Sequence, residues 1–168
     1  TGFAVTRRRE QFDALERIGD TDHEVTALAT AMNYADAQRL EVEESAEAME
    51  RLVETMAGLP GRKALVHLSS GIAMQAGEEM FYAVGSRFEE SRAFAEIGRH
   101  DTSRSFERVA RKANSHRVVF YPMDAGGQRG MQFGAAEYGD AISPSLRRTL
   151  DSVVVENLHA PLRVLAQE

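Results

Sequence analysis

Two short segments of the sequence carry the pattern of buried β-strands, and they constrain the fold more than any other feature. Lys63–Ser69 (KALVHLS) and Arg117–Tyr121 (RVVFY) are apolar without regular polar alternation, and residues 70–116 separate them. Such continuous apolarity is typical of strands that are covered on both faces. Strands joined by a long, mostly helical crossover pair in parallel by default. The pattern therefore predicts an α/β fold.

The chain before the first strand has the pattern of helices. Apolar residues recur at helical spacing over Phe12–Ile18 and Val25–Met32, and most clearly over 35–57, where glutamates occupy the other side. We expect this acidic side to be a solvated helix face. Gly2–Thr6 is compatible with a short strand at the start of the chain, and Thr6 with a cap of the first helix.

The whole chain is expected to form one helix-rich α/β domain. Residues 1–58 make a helical lead-in, and residues 59–168 hold the strand, helix, strand, helix part. A last helix is expected to begin at Ser143-Pro144 and to break or kink at Pro161, because proline lacks the backbone N–H of a helix interior. A length of 168 residues suits a single domain.

Composition excludes several classes of function. The formal net charge is −6, so binding to a phosphate backbone would work against the overall field of the protein. The apolar stretches are only a few residues long, whereas a membrane span needs about twenty. Cysteine is absent, which excludes disulfides, thiolate catalysis and cysteine-bound zinc. We therefore expect no nucleic-acid partner and no membrane span in this segment.

Candidate binding residues follow the two predicted strands, at the edge where open parallel sheets place their ligands. They are Ser69, Ser70 and Gly71 after the first strand and Asp124 after the second. Their hydroxyl and carboxylate oxygens suit a polar ligand or a hard cation. The alternative is structural: a serine caps the next helix, and Asp124 closes a turn with the glycines that follow it.

Asp101–Ser105 (DTSRS) matches the D-x-S-x-S pattern of metal-ion-dependent adhesion sites. That pattern needs a buried strand ending at the aspartate, and Glu96–His100 is not such a strand. Asp, Thr and Ser before an apolar helical stripe are residues that a helix amino terminus prefers. We therefore predict a helix cap, placed at the edge of the sheet opposite Ser70, and no metal site in this chain.

The sequence lacks the common catalytic motifs. None of the five histidines has metal-ligand spacing or accompanies a G-x-S-x-G elbow. His67 interrupts an apolar strand, where we expect a hydrogen-bonded structural histidine rather than a catalytic base. Gly126–Gly139 is rich in glycine and lacks periodicity, so it is expected to form a loop, and its first residues match neither a Walker motif nor a dinucleotide fingerprint.

The strands and their flanks resemble the bacterial von Willebrand factor type A (VWFA)-related domains. The most specific similarities are Leu59–Gly71 (LPGRKALVHLSSG) and Val118–Ala125 (VVFYPMDA), and further ones lie at Phe106–Ala113 and Leu162–Glu168. The resemblance implies a Rossmann-like three-layer sandwich. It also implies a binding module, in many cases exported (periplasmic or extracellular), that holds a divalent cation at the strand ends and engages a protein partner through it.

Departures from that family bear on the cation. The family carries its metal motif on its first strand, which we expect before Thr1, and it continues beyond the position of Glu168, so this chain is expected to be an incomplete fragment. The family usually has aspartate at the position of Ser70, and serine there removes a charge. The metal-ion-dependent adhesion site is therefore expected to be degraded or absent, and Mg²⁺ is expected only together with the upstream segment.

Two hypotheses about function result. The first is a non-enzymatic, adhesion-type module that binds a protein partner. The second is a Rossmann-like nucleotide-binding or enzymatic α/β domain that uses the Gly126–Gly139 loop. Stabilisation by nucleotides in the presence of EDTA is expected from the second hypothesis and not from the first.

Overall fold

The structure, a computed structural model, describes residues 2–89, 91–125 and 143–167. The Gly126–Gly139 loop named above lies outside the described residues. In chain order the elements are α1 (Gly2–Asp20), α2 (Glu24–Ala57), β1 (Lys63–Ser69), α3 (Glu78–Arg87), α4 (Ala93–Ile97), a 3-10 helix (Gly98–His100), α5 (Ser103–Ser115), β2 (Val118–Asp124) and α6 (Pro144–Gln167). The chain is therefore a helix-rich α/β protein.

The amino-terminal segment is helical from its second residue. The prediction of a short strand at Gly2–Thr6 is wrong, because these residues begin α1 and pair with no described strand. A run of five residues is too short for its apolarity to distinguish strand from helix. The periodic part of α1 behaves as predicted, and its apolar residues Leu15 and Ile18 are buried.

One uninterrupted helix of 34 residues, α2, replaces the two helices predicted over Val25–Met32 and 35–57. Three alanines are buried near the start of this helix, and mostly larger apolar residues are buried in its second half. The buried residues are Ala27, Ala31, Ala35, Gln38, Val42, Ala46, Met49 and Val53. The first three alanines pack with α1 and α3, whereas the larger side chains pack with the sheet and α5.

The two strands form a parallel two-stranded sheet, as the sequence predicts. Their register runs from Lys63 opposite Val118 to Ser69 opposite Asp124. The crossover between them consists of α3, α4, the 3-10 helix and α5. Both strands therefore end at the same edge of the sheet, which positions the candidate site.

Helices cover one face of this sheet. Leu65, Val118 and Phe120 are buried on that face, in a core shared with Val53 of α2 and Phe106 of α5. The strand alternation places these three strand residues on the same side, because partners in a parallel pair share a face. The described residues thus form two layers, helices on sheet, and the third layer of a sandwich is not among them.

The other face of the sheet is exposed and entirely apolar. It carries Ala64, Val66, Leu68, Val119, Tyr121 and Met123, and we call these six residues the open face. Continuous apolarity predicted burial of both faces, and that prediction is wrong for the described residues, where Val66 is 59% and Leu68 67% exposed. The sequence pattern shows that both faces of the two strands are apolar, but it does not show which segment packs on each face.

The last helix, α6, continues through Pro161, so of the predicted break or kink the break is wrong. Proline has no N–H to donate to the carbonyl of Asn157 four residues earlier. Met74 supplies the missing donor, since its backbone N–H bonds to that carbonyl at 3.3 Å. The segment that follows β1 is therefore attached to α6 at this point. Within the described residues, no helix is long and apolar enough to cross a membrane.

Candidate functional site

The structure brings two of the predicted site residues together at the carboxyl edge of the sheet. Ser69 and Asp124 are register partners at the ends of β1 and β2. The backbone N–H of Ala125 donates to the carbonyl of Ser69 at 2.8 Å, which extends the parallel ladder one step beyond the last pair. The backbone at this edge is therefore fixed by the sheet itself, and the side chains project from a defined frame.

The chain bends at Ser70, directly after β1. The backbone N–H of Gly71 donates to the Ser69 hydroxyl oxygen at 3.0 Å, and Gly71 has a φ of 101°, a backbone conformation that favours glycine. The next helix, α3, begins only at Glu78 and its N-cap residue is Gly77. The expectation that Ser69 or Ser70 caps the next helix is therefore wrong. Ser69 accepts a hydrogen bond at this bend, and the N-cap residue of α3 is Gly77.

Asp124 contacts a residue that the sequence analysis did not single out. The carboxylate Oδ2 of Asp124 lies 3.0 Å from Nε2 of His159 in α6, and about a third of each side chain is exposed. This pairing links two residues that are 35 positions apart. The glycines that were expected to share a turn with Asp124 lie outside the described residues.

A cleft of about 450 Å³ opens beside the end of β1, between that strand and the helices α1 and α2. Its polar lining includes His67, Ser69 and Ser70, and at its rim the guanidinium of Arg7 forms an ion pair with the carboxylate of Glu41. Sequence reasoning missed Arg7 and Glu41, since their pairing depends on how α1 packs on α2. A cleft of this size, with hydroxyls and an imidazole, could admit a small polar ligand.

His67 lines this cleft from the covered face of β1. Its Nε2 is buried and has no hydrogen-bond partner among the described residues, so the predicted hydrogen bond of a structural histidine is not made by this atom. Burial lowers the pKa of His67, because the charged imidazolium loses solvation there. The imidazole ring is therefore neutral at pH 7, and its Nε2 is buried where no described residue donates or accepts a hydrogen bond.

The D-x-S-x-S string forms a helix start, as predicted. The carboxylate Oδ1 of Asp101 accepts a hydrogen bond from the backbone N–H of Ser103 at 2.8 Å, in the first turn of α5. The hydroxyl of Thr102 donates to the carbonyl of Met74 at 2.8 Å. Met74 follows the carboxyl end of β1, so the string lies on that side of the sheet and not at the opposite edge. The helix α5 returns towards the start of β2, and its first turn therefore sits near the strand ends.

The strand ends offer few ligands for a metal ion. Among the described residues, no three His, Asp or Glu side chains are grouped so that they could hold one. The one carboxylate placed at the strand ends by the sequence analysis, Asp124, contacts His159. Two serine hydroxyls and one carboxylate are a weak donor set for a small divalent cation, which keeps its water unless strong oxygen ligands replace it.

Comparison of the chain with protein-family models, with curated proteins and with solved structures gave no match in any of the three.

Proposed function

We propose that this chain is part of a non-enzymatic, protein-binding module of the VWFA-related type, with a Rossmann-like three-layer architecture of which the described residues form two layers. One observation carries the proposal: the two strands that hold the VWFA-like motifs pair in parallel and in register through a helical crossover. An antiparallel or separate placement of Lys63–Ser69 and Val118–Asp124 would have excluded this architecture.

The chemistry of the strand ends supports binding without a cation held by this chain alone. A metal-ion-dependent adhesion site needs several oxygen ligands directed at one ion. Here Ser70 stands where the VWFA-related domains usually carry aspartate, and Asp124 is engaged by His159. Mg²⁺ at this edge would need carboxylates in addition to these residues.

The cleft beside β1 supports binding better than catalysis. Nucleophilic catalysis by a serine needs a base that hydrogen-bonds to the hydroxyl and is itself oriented. Nε2 of His67 makes no hydrogen bond to any described residue, so it does not activate Ser69 or Ser70. We therefore assign the module a protein partner and no reaction. Export to the periplasm or the cell exterior follows only from the resemblance.

A thermal-shift experiment in EDTA tests this function against the nucleotide-binding alternative. The chain is incubated with mononucleotides and dinucleotides at millimolar concentration, and its Tm is compared with that of the free protein. We expect no shift. A reproducible increase in Tm that survives in EDTA would overturn the proposal in favour of a nucleotide-binding domain, since a ligand that binds only the folded state must stabilise it.

The variant Ser70→Arg locates any such shift. Ser70 is exposed and lines the cleft, so a bulky cation there blocks the strand ends without disturbing the core. A nucleotide-dependent shift that disappears in Ser70→Arg would place the nucleotide at the strand ends. A shift of equal size in both proteins would place it elsewhere on the chain, and either result would contradict a module without nucleotide chemistry.

The coding sequence upstream of Thr1 supplies an independent test of the family. We expect a buried strand that ends in D-x-S-x-S, because the proposed architecture needs a strand beside β1 that carries the metal motif. An unrelated domain directly before Thr1 would contradict the VWFA-related assignment and leave the α/β fold as described.

A further inference from the structure

Two neighbouring cavities lie along the groove between α3 and α6, and the function proposed above uses neither of them. The larger cavity has a volume of about 510 Å³ and the smaller one of about 280 Å³. Tyr82 of α3 lines both, so the two cavities adjoin at this residue. The residues that line them belong to helices and to the segments next to helices, and none belongs to β1 or β2. The groove is therefore separate from the open face and from the strand ends.

The larger cavity has an aromatic wall and a mostly apolar lining. The rings of Tyr82 and Phe94 pack edge to face with their centroids 5.3 Å apart. The Phe94 ring lies directly on α3, since a Cβ added to Gly85 would be only 2.6 Å from it, and Phe94 is 51% exposed. Apolar side chains of α1 and α6 complete the lining: Leu15, Ile18 and Leu146. A cavity of this volume and lining suits the apolar body of a small molecule.

The charge at the rim of the larger cavity is already compensated. Nε of Arg87 donates to the backbone carbonyl of Thr21 at 3.0 Å, and Nη2 of Arg87 lies 3.2 Å from a carboxylate oxygen of Asp22. The other residues that line this cavity carry no charge. The larger cavity therefore favours an uncharged part of a ligand.

The smaller cavity is acidic. Glu78 of α3 and Glu156 of α6 line it, and its lining includes no lysine, arginine or histidine. Neither carboxylate forms a salt bridge with a described residue. Burial raises the pKa of Glu78 to about 7, and the charges of Glu79 and Glu156 add to this increase. A cation between Glu78 and Glu156 would relieve the repulsion between them.

The wall beside these carboxylates is fixed by hydrogen bonds. Asn157 is only 6% exposed, its Nδ2 donates to the backbone carbonyl of Gln75 at 2.7 Å, and its Oδ1 accepts from the backbone N–H of Gln75 at 2.7 Å. The amide of Asn157 is therefore engaged within the protein. An anion in this cavity would meet two carboxylates and no lining cation, whereas a cation is complementary to both.

We propose that the groove between α3 and α6 binds a small organic cation, a primary amine whose ammonium group lies between Glu78 and Glu156 and whose apolar body extends past Tyr82 into the larger cavity. From Glu78 to Ser86, α3 rises about 12 Å at 1.5 Å per residue, so the ligand must be elongated. A lysine side chain of a protein partner has a stem of only four carbons and would leave most of the larger cavity empty. This inference goes beyond the proposed protein-binding function and does not depend on it.

Calorimetric titration with n-octylamine at pH 8 tests the proposal. We expect binding in the high-micromolar to millimolar range that a ligand of this size permits. The anion n-octanoate has a similar length and the opposite charge, and it should not bind. The shorter cation n-butylamine should bind at least tenfold more weakly, because it buries fewer methylene groups in the larger cavity.

Charge variants show whether the two carboxylates hold the ammonium group. We expect Glu78→Gln and Glu156→Gln each to weaken octylamine binding at least fivefold at pH 8. Glu89→Gln, at an exposed position outside both cavities, should leave binding unchanged. Lowering the pH from 8 to 6 should weaken binding to the parent protein at least threefold, since Glu78 then takes up a proton while the amine stays charged. This pH dependence should disappear in Glu78→Gln.

A pair of tryptophan variants shows whether the larger cavity holds the apolar body. Ser86 lines this cavity and is exposed, and its hydroxyl donates to the carbonyl of Ala83 three residues earlier. Ser115 of α5 is also exposed and makes the same local bond to the carbonyl of Lys112, but it lines neither cavity. Ser86→Trp should weaken octylamine binding at least tenfold, whereas Ser115→Trp should leave it unchanged.

Three results would overturn the inference. The first is the absence of octylamine binding up to ten millimolar, and the second is octanoate binding as strong as octylamine binding. The third is octylamine binding that Glu78→Gln and Glu156→Gln leave unchanged, or that both tryptophan variants weaken equally, because the amine would then associate with the acidic protein elsewhere. The amide spectra of the ¹⁵N-labelled variants verify that each of them is folded.

Discussion

His159 of α6 and Asp124 at the end of β2 approach each other to 3.0 Å between Nε2 and Oδ2. The contact joins the last helix to the carboxyl edge of the sheet, next to the point where Ser69 accepts a hydrogen bond from Ala125. It also occupies the only strand-end carboxylate that the sequence analysis offered as a ligand. The pair thus contributes to the fold and at the same time reduces the capacity of this edge to bind a cation.

A double-mutant cycle measures what this pair contributes. We expect Asp124→Ala and His159→Ala to show a coupling energy of about 0.2 to 1 kcal/mol in the free energy of unfolding, the range of partly exposed ion pairs. Urea denaturation of the parent, both single variants and the double variant supplies the four values. A coupling of zero within error at low salt would show that the two side chains do not interact in solution.

Gly77 lies at a position that has no room for a side chain. Its φ is 67°, and a Cβ added to it would lie 2.5 Å from Cβ and 2.8 Å from Cα of Ala35 in α2. Its backbone N–H also donates to the buried side chain of Gln38 at 2.6 Å. We expect Gly77→Ala to lower the free energy of unfolding by about 2 to 5 kcal/mol, from backbone strain and from the displaced helix.

Gly58→Ala is the matched control for this substitution. Gly58 has a φ of −73°, and a Cβ there would meet no atom within 4 Å. We expect a change within about 0.5 kcal/mol, as for an ordinary exposed position. Equal effects of the two substitutions in urea denaturation would show that α2 does not approach the start of α3 as closely as the structure describes.

The sequence predicted the elements whose signal is local. The two strands were visible as apolar runs, and their parallel pairing followed from the long helical crossover. The second strand was predicted to end at Tyr121, but β2 continues through Pro122 to Asp124, because proline is tolerated in an edge strand, which β2 is among the described residues. The helices α1 and α5 were visible through their spacing. The first turn of α1 was misassigned because five residues hold too little periodicity. The continuity of α2 was missed although no glycine or proline separates its halves.

The candidate site was predictable only in part. Its backbone frame, Ser69 opposite Asp124, follows from strand order and register. His159 was not predictable, because the pairing of side chains 35 residues apart depends on how α6 packs across the sheet. The exposure of the open face was not predictable either, because the apolar residues of a strand do not indicate which segment packs against them. Asp101 was predicted at the wrong edge of the sheet, because the direction of α5 relative to the strands was not considered.

Glu78 should make the stability of the protein depend on pH. Burial raises the pKa of Glu78 to about 7, and the carboxylates of Glu79 and Glu156 add to this increase. A folded-state pKa above the unfolded value of 4.5 gives stability that is fully present below pH 4.5 and is lost as the pH rises through about 7. Burial raises the pKa of Glu79 as well, so its contribution has the same sign.

Glu78→Gln tests this dependence, because the amide keeps the shape and cannot ionise. We expect the free energy of unfolding of the variant to be about 1 kcal/mol higher than that of the parent at pH 8 and equal to it at pH 4. The value at pH 8 is reduced because the position is half-exposed. Glu89→Gln, at an exposed position, removes the same formal charge and should show little difference at either pH. A gain that is the same at pH 4 and pH 8 would refute the raised pKa of Glu78.

The last prediction concerns divalent cations: calorimetric titration of this chain with Mg²⁺ or Mn²⁺ should detect no binding of micromolar strength. The hydroxyls of Ser69 and Ser70 and the single carboxylate of Asp124 carry too little charge to offset the dehydration of a small cation. Asp101 directs one carboxylate oxygen to the backbone N–H of Ser103, as a helix cap does. Micromolar binding that Asp101→Ala abolishes would prove the D-x-S-x-S string to be a metal site, whereas binding abolished only by Asp124→Ala would place the ion at the strand ends.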